Sequence, residues 1–128
     1  MQYRGTPMGF LPRKRASHNQ TLTDRVRDLL RRPDISERKM FGGLAFMLRG
    51  NMCCGINGSD LVIRVGPDAY AEALADPAAR PMDFTGRPLR GLVYVGKKGY
   101  ATDRDLASWI ARAVRFAESL PAQFGDVT

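Results

Sequence analysis

The sequence contains few of the residues on which catalytic and metal sites depend. Its 128 residues include one histidine, His18, and two cysteines, Cys53 and Cys54, which are neighbours in the chain. The patterns CxxC, HExxH, GxSxG and GxxxxGKS/T are all absent. Zinc coordination, a nucleophile with its base, and a nucleotide phosphate loop therefore each lack their required residues. We predict no enzyme activity, no cofactor and no metal site.

Long apolar runs are also missing. No stretch approaches the roughly 18 apolar residues that a membrane-spanning helix needs, and residues 1–20 hold no apolar core like that of a secretory signal. Adjacent residues of a strand point to opposite faces, so we expect Cys53 and Cys54 to be buried, unbridged and reduced. Together these features predict a cytoplasmic protein without membrane association.

Acidic residues are too few to balance the basic ones. The chain has 20 basic and 13 acidic side chains, a formal net charge of +7, and the segment through Arg32 holds eight basic residues against two acidic ones. A concentrated basic excess indicates nucleic acid or an acidic partner, with a solvated surface as the alternative. The candidate binding residues in this segment are Arg13, Lys14, Arg15, Arg25, Arg31 and Arg32.

A second group of cations lies in a turn near the C terminus. Lys97 and Lys98 are flanked by glycines and followed closely by Tyr100. Two ammonium groups near an aromatic ring are a combination that binds an acidic peptide or a nucleic-acid strand. We therefore add Lys97 and Lys98 to the candidate binding residues; the alternative, an ordinary turn, needs no ligand.

The first half of the chain predicts one helix followed by a meander. Residues 21–32 carry apolar residues at helical spacing, with Thr21 or Thr23 as the N-cap and Pro33 ending the helix. Asn57–Gly58 is typical of a two-residue hairpin turn. Glycine-containing turns separate four strand-like segments, Arg38–Phe41, Leu44–Leu48, Met52–Ile56 and Leu61–Val65.

The second half predicts a short helix, a hairpin and a long helix. Pro67 favours the start of a helix over Asp68–Ala75, and Pro81–Phe84 with Leu89–Val95 predicts the hairpin. Thr102 precedes two aspartates at the start of an amphipathic segment that ends before Pro121. The whole is an α+β domain of about six antiparallel strands with three helices. We divide the chain into an irregular basic extension (1–20), this domain (21–120) and a frayed tail (121–128).

Several motifs give the chain a resemblance to a known family. They are Arg38–Met47 with its Met-Phe-Gly-Gly core, Asp60–Val65, Phe84–Pro88 with its Gly-Arg-Pro core, and Trp109 in the last helix. Over about residues 21–120 the chain resembles the N-terminal domain of the TfoX/Sxy family of bacterial competence regulators. The resemblance implies a fold shaped like secretion-chaperone-like proteins and a regulatory rather than catalytic role. Longer members carry a helical C-terminal domain, so we expect a stand-alone N-terminal domain here.

The family motif residues are interpreted as structural. Gly42 and Gly43 would allow a bend between strands, while Met40 and Phe41 would fill the core. A binding role is the alternative. The full set of motif residues considered is Lys39, Met40, Phe41, Gly42, Gly43, Gly86, Arg87 and Pro88.

Three functions are compatible with the sequence. The first is a non-enzymatic regulatory or adaptor domain that contacts an unidentified protein, in regulation of transcription or competence. The second is a nucleic-acid binder acting through the basic N-terminal extension and first helix. The third is a small-ligand carrier or an uncharacterised enzyme, which requires a pocket with convergent polar groups. We expect a monomer or a weak homodimer.

Overall fold

The computed structural model describes residues 19–83, 86 and 88–123 of the chain. The described residues form three helices, six strands and one short 3-10 turn over Lys97–Gly99. The helices are α1 (Gln20–Leu29), α2 (Tyr70–Leu74) and α3 (Asp103–Glu118). The strands are β1 (Ile35–Met40), β2 (Gly43–Leu48), β3 (Asn51–Asn57), β4 (Asp60–Arg64), β5 (Ala79–Asp83) and β6 (Pro88–Val95).

The strands form one antiparallel sheet in the order β1-β2-β3-β4-β6-β5. The first four strands are a meander, because each pairs with the next in the chain. The hairpin of β5 and β6 then adds to the sheet through β6, which leaves β1 and β5 at the two edges. The predicted α+β class, with a six-stranded meander-plus-hairpin sheet, is confirmed.

All three helices pack on the same face of the sheet. Alternate residues of β2, β4 and β6 supply the core on that face, including Phe46, Ile63 and Val93, each at most 1% exposed. Helix α3 packs across β2, β3 and β4, α1 packs on α3, and α2 packs on β5 and β6. The inner side of α3 contributes Leu106, Trp109, Ile110, Ala113 and Ala117 to the core. None of the helices in the described ranges is long and apolar enough to cross a membrane.

Helix α1 differs at both ends from its prediction over residues 21–32. Asn19 is its N-cap, because the Asn19 carboxamide oxygen accepts a hydrogen bond of 2.9 Å from the Leu22 backbone N–H. Thr23, one of the two predicted caps, is instead buried and donates its hydroxyl to the Asn19 carbonyl. The helix ends at Leu29. The residue before a proline disfavours helical geometry, so Arg32 is excluded from the helix by Pro33.

The turns of the meander are shifted by one residue from their predicted positions. Phe41 and Gly42 both have positive φ, at 44° and 78°, and form the two-residue turn between β1 and β2. The turn between β3 and β4 is Gly58–Ser59, so the prediction of Asn57–Gly58 is wrong by one residue. Asn57 stays in β3, where its carboxamide donates to the Phe41 carbonyl at 3.2 Å and to the Tyr94 hydroxyl at 3.2 Å.

Met40 and Phe41 do not fill the core, contrary to the prediction. Both are half-buried, because the turn places them at the end of the sheet. The buried residue of the motif is Gly43, where a Cβ would approach the Ile56 carbonyl oxygen to 2.1 Å. Gly55 plays the matching role for the Phe41 ring, since a Cβ at Gly55 would lie 2.8 Å from the ring.

Cys53 and Cys54 are both unbridged and fully buried, but they do not point to opposite faces of the sheet. Phe46 is paired with Cys54 and Met47 with Met52, so Cys53 is an extra residue in a β-bulge. A bulge interrupts the alternation of side chains, and both thiols pack in the same core. The adjacent Cys53 thiol and burial raise the pKa of Cys54. The raised pKa lowers the reactivity of the Cys54 thiol, because the thiolate is the nucleophile.

The C-terminal helix begins as predicted and the chain after it is held to the sheet. Thr102 is the N-cap of α3, and its hydroxyl accepts a hydrogen bond of 3.0 Å from the Asp105 backbone N–H. Beyond α3, the Asn51 carboxamide donates to the Pro121 carbonyl at 2.9 Å, and Gln123 donates its N–H to the Arg49 carbonyl at 2.7 Å. The described residues of the segment predicted as a frayed tail therefore lie against the β2–β3 turn.

Candidate functional site

The arginines of the first helix are neutralised within the domain. Arg25 donates to the Tyr100 carbonyl at 3.0 Å and to the Asp103 carboxylate at 3.2 Å. Arg27 forms two hydrogen bonds with Glu37, at 2.7 and 2.8 Å, which raise the pKa of Arg27. Arg31 is exposed and contacts Asp28 at 2.7 Å. Each of these guanidinium groups already has an acidic partner, so the surface of α1 offers little free positive charge.

Arg32 lies in an ion-pair network that joins three parts of the fold. Its guanidinium contacts Asp34 at 2.6 Å and Glu118 at 3.1 Å, and Asp34 also accepts from Arg49 at 3.1 Å. The Arg32 hydrogen bond, with a weaker contribution from Arg49, lowers the pKa of Asp34 to about 2. The network connects the end of α1, the β2–β3 turn and the end of α3, so its geometry is that of a structural clamp.

Lys97 and Lys98 are exposed on the 3-10 turn, and neither has an ion-pair partner in the structure's described part. The ring of Tyr100 is not available to a ligand beside them. Tyr100 is only 6% exposed, and its hydroxyl donates to the Ser59 carbonyl at 2.7 Å. The predicted pairing of two cations with an exposed aromatic ring is therefore not formed. Arg13, Lys14 and Arg15 lie outside the described residues.

The family motif residues occupy two separate turns. Lys39, Met40, Phe41, Gly42 and Gly43 surround a shallow depression of about 450 Å³ at the β1–β2 turn. Positive φ costs a residue other than glycine about 1 kcal/mol. Phe41 has a positive φ, and its contacts with Gly55 and Asn57 hold it in that conformation.

The second motif turn precedes β6. Gly86 is exposed with a φ of 80°, and Pro88 is the first residue of β6. Arg87 lies outside the described residues. The contacts of the described motif residues are those of tight turns, and their binding role stays a prediction.

A groove follows one side of α3, and Lys98 is the one predicted binding residue among those that line it. It consists of two consecutive clefts that share Arg112, and we call it the α3 groove. The N-terminal half has a volume of about 420 Å³, and its main lining residues are Asp76, Lys98, Asp105, Ser108, Trp109 and Arg112. The C-terminal half has a volume of about 480 Å³, and its main lining residues are Val65, Ala69, Glu72, Arg112, Arg115 and Phe116.

The charged groups of the α3 groove are not paired with one another. Within the described chain, none of the six has an ion-pair contact within 4.0 Å. They are three cations and three carboxylates, Lys98, Arg112, Arg115, Glu72, Asp76 and Asp105. Asp76 makes one local contact, accepting the Ala78 backbone N–H at 2.9 Å. The groove therefore presents charges of both signs to a ligand.

Two aromatic rings stack with arginine side chains at the groove, Trp109 with Arg112 and Phe116 with Arg64. The Arg112 guanidinium carbon lies 4.4 Å from the centroid of the Trp109 ring, a cation–π distance. On the C-terminal half, Arg64 lies 5.2 Å from the centroid of the Phe116 ring. Stacking leaves the N–H groups at the edge of a guanidinium available to a ligand. The groove combines oriented donors with apolar surface, as protein-binding clefts do.

Catalytic chemistry has little support in the described residues. They contain no group of three or more His, Cys, Asp or Glu residues arranged to hold a metal ion. The groove has two hydroxyls, Ser108 and Ser119, and the chain's one histidine, His18, lies outside the described residues. A hydroxyl without a base is a weak nucleophile. The arrangement can bind and orient a ligand through charge and stacking.

Sequence reasoning missed the groove because its residues come from four separate segments. Lys98 was predicted from its basic turn, and the α3 part left a second signal, namely the charged and polar positions Asp105, Ser108, Arg112 and Arg115 at helical spacing beside Trp109. That pattern is also typical of an ordinary solvent-exposed helix face. The opposite wall, from α2 and the segment before β5, becomes visible only when the chain is folded.

The comparison with known families agrees with the resemblance. A family model described as the TfoX N-terminal domain matches residues 28–117, which is more than half of the chain. No curated protein and no solved structure matches the chain. At the level of the family, the match supports a regulatory, competence-associated domain, and the family is not a known enzyme family.

Proposed function

The chain belongs to the TfoX N-terminal domain family, and we propose that it is a non-enzymatic regulatory or adaptor domain that binds a segment of another protein along the α3 groove. The observation that carries this proposal is the set of unpaired charges in the groove, beside Trp109 and Phe116. Regulation of transcription or competence is the context that the family suggests.

The composition of the groove favours a protein ligand over a nucleic acid. Glu72, Asp76 and Asp105 line it along with the three cations, and carboxylates repel a phosphate backbone. A protein segment can satisfy charges of both signs and bury apolar side chains in the same contact. The mixture of charge and apolar surface is thus matched by a polypeptide.

Nucleic-acid binding through the first helix has less support. Arg25, Arg31 and Arg32 each contact a carboxylate within the domain, so phosphate binding would have to displace those partners. Among the described residues, the remaining exposed cations of the prediction are Lys97 and Lys98, without an available ring beside them.

Photo-crosslinking tests the proposal. A crosslinking amino acid is placed at Ser108, which is exposed in the groove, and in a matched variant at Arg31, which is exposed just after the end of α1. We expect a protein in the lysate of the source organism to crosslink from position 108 and not from position 31. The identified protein is then purified, and its affinity for the domain is measured by calorimetry.

The calorimetric comparison decides the outcome. We expect Arg112→Glu to weaken the affinity at least about tenfold, since charge reversal removes a charge-assisted contact and adds a repulsive one. Arg31→Glu should leave it unchanged. Equal crosslinking from both positions, or an affinity that Arg112→Glu leaves intact, would contradict binding at the groove.

A further inference from the structure

The C-terminal half of the α3 groove has an excess of positive charge over an apolar floor. Arg112 and Arg115 are three residues apart on α3, which places them on the same side of the helix, and both line this half. Val65, Ala69 and Phe116 supply its apolar surface. Glu72 is the one carboxylate among the lining residues of this half.

The Arg64 guanidinium adds a third positive charge next to this half. It stacks on the Phe116 ring at 5.2 Å and donates to the Met52 carbonyl at 3.3 Å. In the described part of the chain Arg64, Arg112 and Arg115 have no carboxylate within 4.0 Å, unlike the arginines of α1. Three guanidinium groups without a carboxylate partner thus lie in or beside this half, whose lining includes one carboxylate, Glu72.

We infer that this half of the groove recognises an acidic peptide segment in which a carboxylate adjoins an apolar side chain. The inference rests on the proposed function and names the chemistry of its partner. A carboxylate accepts two parallel N–H bonds from a guanidinium, and the stacking of Arg112 on Trp109 keeps its donors oriented. The neighbouring apolar side chain covers Phe116, Val65 and Ala69.

The charge balance argues for a carboxylate within a polypeptide rather than a run of phosphates. A nucleic-acid strand would bring several phosphates close to Glu72 and to the carboxylates of the N-terminal half, Asp76 and Asp105. An acidic peptide places one charge between the arginines and an apolar group on the floor.

Peptide selection provides the test. A phage library of random 12-residue peptides is selected on the immobilised full chain, and the enriched peptides are synthesised with a fluorescent label. We expect them to share an Asp or Glu next to an aromatic or aliphatic residue. By fluorescence anisotropy, R112E and R115E should each weaken their binding about tenfold or more.

Control variants separate charge recognition from loss of folding. Arg104→Glu reverses an exposed charge on the same helix outside the groove lining, and it should leave peptide binding unchanged. R112Q and R115Q remove the charge with little change in size, and thermal unfolding checks that each variant is folded. A peptide with Lys in place of its acid should bind the R112E variant better than the wild type.

The possible results distinguish the inference from the proposed function. Enriched peptides that lack acids, but lose binding when Ser108 is replaced by Trp, would overturn the inference and keep the groove as a protein-binding site. Peptides that depend on neither Ser108 nor Arg112 would overturn both. Displacement of a bound peptide by single-stranded oligothymidine at physiological salt would also overturn the inference, in favour of nucleic acid.

Discussion

The surface of α1 and the α3 groove are both rich in basic side chains, yet they use them in opposite ways. On α1 and just after its end, Arg25, Arg27 and Arg31 each contact a carboxylate within 4.0 Å. In the groove, Arg112 and Arg115 have no such contact among the described residues, although Glu72 lines the same cleft. The basic excess of the sequence therefore does not by itself locate an interface; the pairing state of each charge does.

The difference has a simple physical origin. An exposed ion pair contributes about 0–1 kcal/mol to stability, so the arginines of α1 mainly fix local geometry and reduce the field around the helix. Unpaired charges on stacked guanidinium groups keep their hydrogen-bonding capacity for a ligand. Variants on α1 should consequently alter stability without altering binding, and variants in the groove should do the reverse.

Trp109 gives the largest expected effect, because it belongs to both the core and the groove. It is 4% exposed and stacks under Arg112. Trp109→Ala should lower the free energy of unfolding by about 3–5 kcal/mol, as for other large buried aromatics. Trp109→Phe should keep most of this stability while weakening peptide binding. Urea unfolding monitored by circular dichroism measures the free energy of unfolding. A loss below about 1 kcal/mol for Trp109→Ala would show that Trp109 is not a core residue.

Charge reversal in the groove separates the two regions most directly. The double variant R112E/R115E should lose peptide affinity by far more than tenfold, while its free energy of unfolding falls by no more than about 1 kcal/mol, the loss expected from the contact of Arg112 with Trp109. Calorimetry and urea unfolding of one preparation test both statements. A large loss of stability would mean that these arginines have structural partners, and the contrast with α1 would disappear.

A variant that breaks the clamp around Arg32 should lower stability and leave peptide binding unchanged, the opposite of the groove variants. Arg32→Gln breaks contacts with Asp34 and Glu118, which connect the ends of α1 and α3. We expect a loss of about 1 kcal/mol, near the upper end for partly exposed ion pairs, and unchanged peptide binding. Thermal unfolding of R32Q beside R31Q provides the comparison, since Arg31 contacts only an exposed Asp28. Equal effects of the two variants would rule out a clamp.

The sequence predicts much of the fold because the fold depends on local signals. Thr102 with its aspartates marks the start of α3, and the glycine-containing turns delimit the strands of the meander. The predictions fail where tertiary contacts decide the outcome. Asn57 stays in β3 because of its hydrogen bonds to Phe41 and Tyr94, and a bulge redirects the cysteines.

The groove was beyond prediction for a related reason. Whether an arginine is free or paired depends on residues far away in the chain, as with Arg27 and Glu37 or Arg32 and Glu118. Sequence reasoning ranked basic residues by their density, which selected α1 and passed over Arg112 and Arg115. Density can be counted in a sequence, whereas pairing is a property of the folded chain.

The pH dependence of stability gives the smallest effect at neutral pH and the finest test of the comparison. In the folded protein Arg32 lowers the pKa of Asp34 to about 2. In the unfolded chain the pKa of this carboxyl is near about 3.9, so the unfolded chain takes up the proton at a higher pH. The stabilising contribution of Asp34 is therefore complete above about pH 4 and is lost as the pH falls from about 4 to 2. In the Asp34→Asn variant, the urea concentration at the unfolding midpoint should change less with pH over this interval than it does in the wild type. The midpoint is measured at every half pH unit. Parallel profiles for wild type and Asp34→Asn would mean that the pairing of Asp34 does not survive in solution.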